Sequence, residues 1–145
     1  MTTAAIIVAA GRGTRAGGDL PKQWQTLGDR PVAAHAMAQF AAHHAISQLV
    51  LVLHPDDLNT DLWPRDPLAT VVTGGDTRAA SVLAGLSAVN DDIDKVLIHD
   101  AARPLVSNAL ISRVHDALEH NTGAAPAIAV TDTLWQGAKG AVQGV

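Results

Sequence analysis

A glycine-broken loop directly after a buried strand constrains this chain more than any other stretch. Residues 4–10 (AAIIVAA) form a short, unbroken apolar run that ends at Gly11, the pattern of a central parallel strand covered on both faces. Gly11, Gly13, Gly17 and Gly18 then allow backbone N–H groups close to a ligand, because no Cβ stands in the way. Consecutive N–H groups in such a turn make an anion-binding concavity. Arg12, Arg15 and Lys22 accompany them against a single acid, Asp19, in a chain whose net charge is -4. An anion site is therefore expected between Gly11 and Lys22.

The remaining chain alternates strand and helix signals. The loop runs to about Arg30, long for an α/β connection, and long ordered loops in compact domains are usually functional. Pro31 suits the first turn of a helix over roughly 32–44, with Val32, His35, Met37, Phe40 and Ala41 loosely on one face. Residues 47–54 (SQLVLVLH) read as a second strand closed by Pro55. Residues 55–69 carry three Pro and four Asp, which predicts a short helical turn and loop before a third strand over 69–73. Asp76 is placed to N-cap a helix reaching about Val89, with Val82, Leu83, Leu86 and Val89 inward. A fourth strand follows over 95–99, then a helix over about 109–121 capped by Ser107 or Asn108 and stopped by Asn121 and Gly123. Residues 124–130 are expected as a fifth strand, and a further strand near 131–135 would have nothing after it in sequence to cover it. The alternation predicts an α/β fold, a doubly wound, mainly parallel, Rossmann-like sheet.

Composition narrows the function. At 145 residues, 48% hydrophobic and 17% charged, the chain reads as a single globular domain, large enough to bury about two-thirds of its unfolded surface. The absence of Cys excludes disulfides and thiolate chemistry and suits an intracellular, cytoplasmic location. Residues 4–10 are too few for a signal or membrane segment. Net acidity and 3% aromatic content without Tyr argue against nucleic-acid partners. The seven His include no HExxH or i,i+4 pair, and there is no Gly-x-Ser-x-Gly elbow.

In open α/β sheets ligands bind beyond the carboxyl ends of the strands. Four segments should meet there: Gly11–Lys22, Gly74–Ser81, Asp100–Arg103 and Thr131–Thr133. Gly11-x-Gly13-x-x-Ala16 also fits the dinucleotide fingerprint, but Pro21 delays the helix and the acid that should close the second strand is missing until Asp56. Arg15 and Lys22 carry the sharper chemistry. A triphosphate attacked at its α-phosphorus builds charge on non-bridging oxygens and on leaving pyrophosphate, and cations fixed there stabilise the transition state more than the ground state. Asp100, just past a strand end, is a natural Mg2+ ligand, since Mg2+ is usually held by one or two carboxylates plus substrate phosphates. A helix cap or a salt bridge to Arg103 is its alternative reading. The segment Gly74-Gly75-Asp76-x-Arg78-x-x-Ser81 makes a tight turn whose N–H groups and Ser81 hydroxyl suit the edge of a base.

AAGRGTR followed by PKQ, GGDTRAASV, HDAARP and VTDT, in that order between Ala9 and Thr133, resembles the 2-C-methyl-D-erythritol 4-phosphate cytidylyltransferases of non-mevalonate isoprenoid biosynthesis. The resemblance implies a nucleotidyltransferase-type fold and transfer of a cytidylyl group from CTP to methylerythritol phosphate, a polyol phosphate. By position it implies Arg15 and Lys22 at the transition state, Asp100 on Mg2+, and Ala9, Ala10, Gly11 and Gly13 lining the CTP site. It further implies Gly75, Asp76, Arg78, Ser81 and Ala101 on cytidine or ribose, and Arg103 and Thr133 on the phosphate acceptor. The related ribitol 5-phosphate cytidylyltransferases rank second, and a catalytically inactive nucleotide-binding module is the alternative outside enzymes.

Members of the resembled family are longer, with an arm after the VTDT region that dimerises and lends residues to the partner's site. The expectation is a single nucleotidyltransferase domain over 1–145, lacking its C-terminal part, with 131–145 the start of that arm. A homodimer is then expected at full length, and weak or no turnover is expected of this chain.

Overall fold

The computed structural model describes residues 1–13 and 20–133 and the backbone of residues 136–138 and 141–144. β1 (Thr3–Ala9) is central because its apolar run tolerates burial on both faces. It pairs in parallel with β4 (Ile46–Leu53) on one side and β6 (Lys95–Asp100) on the other, and β4 pairs in parallel with β5 (Ala69–Thr73). The four-stranded sheet has the order β5-β4-β1-β6. Its register sets Ala9 beside Leu53 and Val8 beside Asp100, so the strands end together at the carboxyl edge.

Among the described residues, three helices cover the sheet on both faces, as a doubly wound fold requires. On one face, Ala33, Met37 and Phe40 of α1 (Val32–Ala41) and Ile111 of α3 (Asn108–Ala117) pack with Ala5, Ile7, Leu49, Leu51 and Leu97. On the other, Ile6, Val50 and Val52 face the side of α2 (Arg78–Leu86), with Ala88 and Val89 just past its end. Pro31 precedes α1 rather than entering it, and Ser107 caps α3 by accepting from the Leu110 N–H. Strand order turns back at β1: the chain builds outward through β4 and β5, then crosses over to place β6 on the other flank. The crevice at that reversal is where open α/β sheets hold ligands.

Four expectations need correction. Thr77, not Asp76, caps α2, its hydroxyl accepting from the Ala80 N–H. Leu83 and Leu86 do not face inward; they are 64% and 41% exposed. The buried positions of α2 are Ser81 and Gly85, one turn apart, because a helix this close to the sheet accepts only small side chains at its contact. Residues 124–130 form no strand: Ile128 and Val130 are 93% and 67% exposed. An apolar run becomes a strand only where its backbone groups find a partner, and Pro126 lacks a donor of its own. Gly123, Ala124 and Pro126 instead border an apolar hollow beside β6 with Leu97, Leu105 and Ile111. Residues 131–133 are likewise not strand, and 134–135 lie outside the described residues.

Two short ribbons were absent from the sequence reading. β2 (Thr26–Leu27) and β3 (Arg30–Pro31) pair antiparallel about Gly28, whose φ of 67° is a left-handed conformation that suits glycine. β7 (Gln136–Ala138) and β8 (Ala141–Gly144) pair antiparallel near the end of the chain. None of the described helices is long and apolar enough to cross a membrane.

Candidate functional site

A cleft of about 1060 Å³ opens at the carboxyl edge of β1, β4 and β6. Its first wall is the start of the glycine loop. Gly13 takes a φ of 60°, the left-handed conformation that favours glycine. It lies against Lys22 where the two sides of the loop meet, a Cβ built on it being 3.4 Å from the Lys22 backbone nitrogen, an ordinary contact. Gln23 ties the same two sides: its Nε2 donates to the Ala9 carbonyl at 2.8 Å and to the Gly11 carbonyl at 2.7 Å. Ala9, Ala10, Gly11, Gly13 and Lys22 all line the cleft. Arg15 lies outside the described residues.

Arg12 lines the cleft, yet its guanidinium is committed elsewhere. Nη1 donates to Asp57 Oδ1 at 2.9 Å, and Nη2 contacts Asp56 Oδ2 and His54 Nδ1. It neutralises carboxylates rather than offering its charge to an incoming anion.

The second wall is the turn after β5. Gly74 donates to the Leu53 carbonyl at 2.7 Å, and a Cβ there would lie 2.5 Å from Ala10 Cβ and 2.7 Å from Ser81 Oγ. Only glycine permits this approach of the turn to β1. Ser81, 2% exposed, contacts both the N–H and the carbonyl of Gly75 at 3.2 Å. Its hydroxyl shapes the turn. Gly75, Asp76, Thr77 and Arg78 present the remaining surface of this wall.

The third wall follows β6. Asp100 Oδ1 accepts from Arg78 Nε at 3.1 Å and Nη2 at 3.0 Å, and Oδ2 faces Arg103 Nε at 3.2 Å. The salt bridge to Arg103 weighed from sequence is thus present, and Arg78 joins it. The turn itself is pinned by His99, whose Nε2 sits 2.9 Å from the Arg103 carbonyl while its ring packs 5.1 Å from that of Phe40. Burial holds His99 below its ordinary pKa, partly opposed by the Arg103 carbonyl, which favours the protonated ring. A neutral ring with its proton on Nε2 matches that geometry.

Of the sequence-derived residues, two fall away from the cleft lining. Ala101 is fully buried, its N–H donating to the Val8 carbonyl at 3.0 Å, and Ala102 lines the cleft in its place. Thr133 is exposed and outside the lining. Gln23, His54, Thr77 and Ala102 were not singled out by sequence. For Gln23 the signal was at hand, since it closes the Pro21-Lys22-Gln23 triplet.

The cleft sets Lys22, Arg78 and Arg103 around the acids Asp76 and Asp100, a balance suited to a polar ligand carrying phosphates. Among the described residues, no three acidic, His or Cys side chains converge to hold a metal. A cation here would combine Asp100 with oxygens from the ligand, the usual arrangement for Mg2+ beside phosphates.

The family model for IspD, 2-C-methyl-D-erythritol 4-phosphate cytidylyltransferase, matches residues 3–145. The chain is 54% identical over 144 residues to the 2-C-methyl-D-erythritol 4-phosphate cytidylyltransferase of Roseobacter denitrificans, covering 99% of this chain and 65% of that protein. It is 56% identical over 149 residues to the bifunctional enzyme IspD/IspF of Ruegeria pomeroyi, covering 99% of this chain and 38% of that one. The crystal structure of 4-diphosphocytidyl-2C-methyl-D-erythritol synthase from Anaerococcus prevotii matches with a TM-score of 0.83 at 26% identity, covering 99% of this chain and 62% of that chain. This chain therefore spans less than two-thirds of the length of each of these relatives.

Proposed function

We propose that this chain, which belongs to the 2-C-methyl-D-erythritol 4-phosphate cytidylyltransferase family, binds CTP in the carboxyl-edge cleft and supplies the nucleotide side of cytidylyl transfer. The observation that carries this reading is convergence: the glycine loop, the Gly74–Arg78 turn and the Asp100–Arg103 turn line one cleft at the point where strand order reverses. In the reaction a phosphate oxygen of methylerythritol phosphate attacks the α-phosphorus of CTP. A P–O bond forms as the bond to the bridging oxygen breaks, and pyrophosphate departs with the electron pair. The product is CDP-methylerythritol. A phosphate oxyanion is already nucleophilic near neutral pH, so no general base is required.

The residues take the following parts on this reading. Ala9, Ala10, Gly11 and Gly13 present backbone toward the triphosphate, with N–H groups as fixed donors. Lys22 and Arg15 balance charge that develops on the α-phosphoryl oxygens and on pyrophosphate, each worth about 10²–10³ in rate for a preorganised donor. Gly75, Asp76, Arg78 and Ser81 shape the cytidine and ribose end, Ala101 from behind Ala102. Arg103, with Thr133, belongs to the acceptor side. Asp100 would hold a divalent cation, Mg2+, together with phosphate oxygens. When bound, that cation neutralises phosphate charge. The same reading makes the functional protein a cytoplasmic homodimer acting on small molecules rather than on nucleic acid.

Calorimetric titration with CTP, UTP, ATP and GTP, each with and without Mg2+, tests the proposal. The expected result is Mg2+-dependent binding that prefers CTP and is weakened by Lys22→Ala. A folded chain that binds none of these nucleotides, or binds all alike without Mg2+, overturns it.

A further inference from the structure

We propose that Asp57 is a positioning residue that holds the two sides of the glycine loop, and with them Lys22, in register for the nucleotide. The inference rests on the nucleotide reading of the cleft. Asp57 belongs to the 3-10 turn Pro55–Asp57 that follows β4, and it is 3% exposed. Its two carboxylate oxygens are divided between the two sides of the loop. Oδ1 accepts from Arg12 Nη1 at 2.9 Å, and Oδ2 accepts from Trp24 Nε1 at 2.9 Å. Arg12 stands between Gly11 and Gly13 on the entering side, and Trp24 ends the 3-10 turn Lys22–Trp24 on the returning side.

That second 3-10 turn divides its work among consecutive side chains. Lys22 lines the cleft, Gln23 ties the Ala9 and Gly11 carbonyls, and Trp24, 3% exposed, anchors to Asp57 within the core. The Trp24 N–H also donates to the Pro21 carbonyl at 2.9 Å, and Gln25 N–H to the Lys22 carbonyl at 3.2 Å. Lys22 and Trp24 therefore share one short hydrogen-bonded turn, and the anchor on the indole fixes the segment that carries Lys22. A buried carboxylate with one charged and one neutral donor is well satisfied, and removing either donor leaves an oxygen short of a partner. Asp57 does not line the cleft; it acts through Arg12 and Trp24.

Trp24→Phe keeps the ring packing and deletes only the indole donor, whereas Asp57→Asn keeps the shape but presents an amide N–H2 to one of two donors. Each is expected to weaken CTP·Mg2+ binding about tenfold, the scale of one charge-assisted hydrogen bond. The double variant should bind no more weakly than the weaker single, because both break one linkage. In an NMR spectrum of the 15N-labelled chain, the Trp24 indole N–H resonance, assigned by its loss in Trp24→Phe, should move upfield in Asp57→Asn. Unchanged CTP affinity in both folded variants overturns the positioning role, even if their melting temperatures fall, and so does an additive double variant. Absence of CTP binding by the unsubstituted, folded chain is a different outcome: it overturns the nucleotide reading and this role with it.

Discussion

Gly85→Ala sets two effects of known size against each other. In a helix interior, alanine is favoured over glycine by about 1 kcal/mol, so an open position in α2 would gain stability from this change. Gly85 is not open. A Cβ there would lie 2.6 Å from Ile6 Cγ2 and 3.0 Å from Val52 Cγ2, against about 3.5–4.0 Å for relaxed carbon contacts. Neither neighbour can yield easily. Both are fully buried, their methyls branch at Cβ, and β1 and β4 are each paired on both sides. Overpacking of this kind costs about 1–3 kcal/mol; the upper half of that range applies because two rigid contacts are violated. The net loss is about 1–2 kcal/mol, or a fall in Tm of about 2–8 °C at this chain length. Thermal and urea unfolding followed by circular dichroism measure it. In an Ile6→Ala background, which removes the nearer methyl, the same substitution should turn neutral or stabilising. A rise in Tm on Gly85→Ala in the unsubstituted chain would refute the close-packing account of α2 and restore helix propensity as the governing term.

Gly74→Ala should leave a folded chain but abolish detectable CTP binding by calorimetry, because the new Cβ meets Ala10 Cβ at 2.5 Å and pushes the second wall off the first. Titration with Mn2+ alone, followed by its paramagnetic relaxation of water, should give no saturable site, since Arg78 and Arg103 already occupy both Asp100 oxygens; adding CTP should create one, and Asp100→Asn should remove it. His43, buried at the end of α1 with His44, His115 and Asp116 around it, has a pKa lowered chiefly by burial. The unfolded chain therefore binds this proton more readily, stability is full above the ordinary His range, and it is lost as pH falls from about 6.5. Tm measured from pH 7 to 5 should decline, and less steeply in His43→Gln, with His99 supplying part of the remaining slope.

The sheet was legible because its signals are local. An apolar run such as 4–10 cannot be satisfied except between two strands, and the four observed sheet strands lie within a residue or two of those read from sequence. The face of α2 was not legible. Leucine spacing points Leu83 and Leu86 inward, but distance to the sheet decides, and at Gly85 that distance excludes any side chain. The fifth strand failed for the complementary reason, since propensity at 124–130 says nothing about whether a partner strand is present. The carboxyl-edge rule gathered Gly11, Gly13, Lys22, Gly75, Asp76, Arg78, Asp100 and Arg103 into one cleft, but not Thr131–Thr133, which it also placed there and which lie outside the lining. Asp57 escaped notice because one Asp among four in a Pro-rich stretch resembles solvated loop. Its burial depends on Arg12 and Trp24, partners far away in sequence.

The ion pairs of the cleft bear on how such a site selects its ligand. Arg78 comes from α2 and Arg103 from the turn after β6, and both meet on Asp100. The pair is partly solvated, so its own contribution to stability is small. On the proposed reading its effect on binding is larger, because it keeps both guanidiniums and the carboxylate close to where the nucleotide would lie. A free divalent cation would have to displace two positive groups from one carboxylate, an unfavourable exchange. A cation arriving on a triphosphate brings its own anionic oxygens, so the carboxylate can turn to the metal while the guanidiniums turn to the nucleotide. Every charge then retains a partner, which neither the bare cation nor the bare triphosphate achieves. On that reading the arrangement favours the complex of the two over either component.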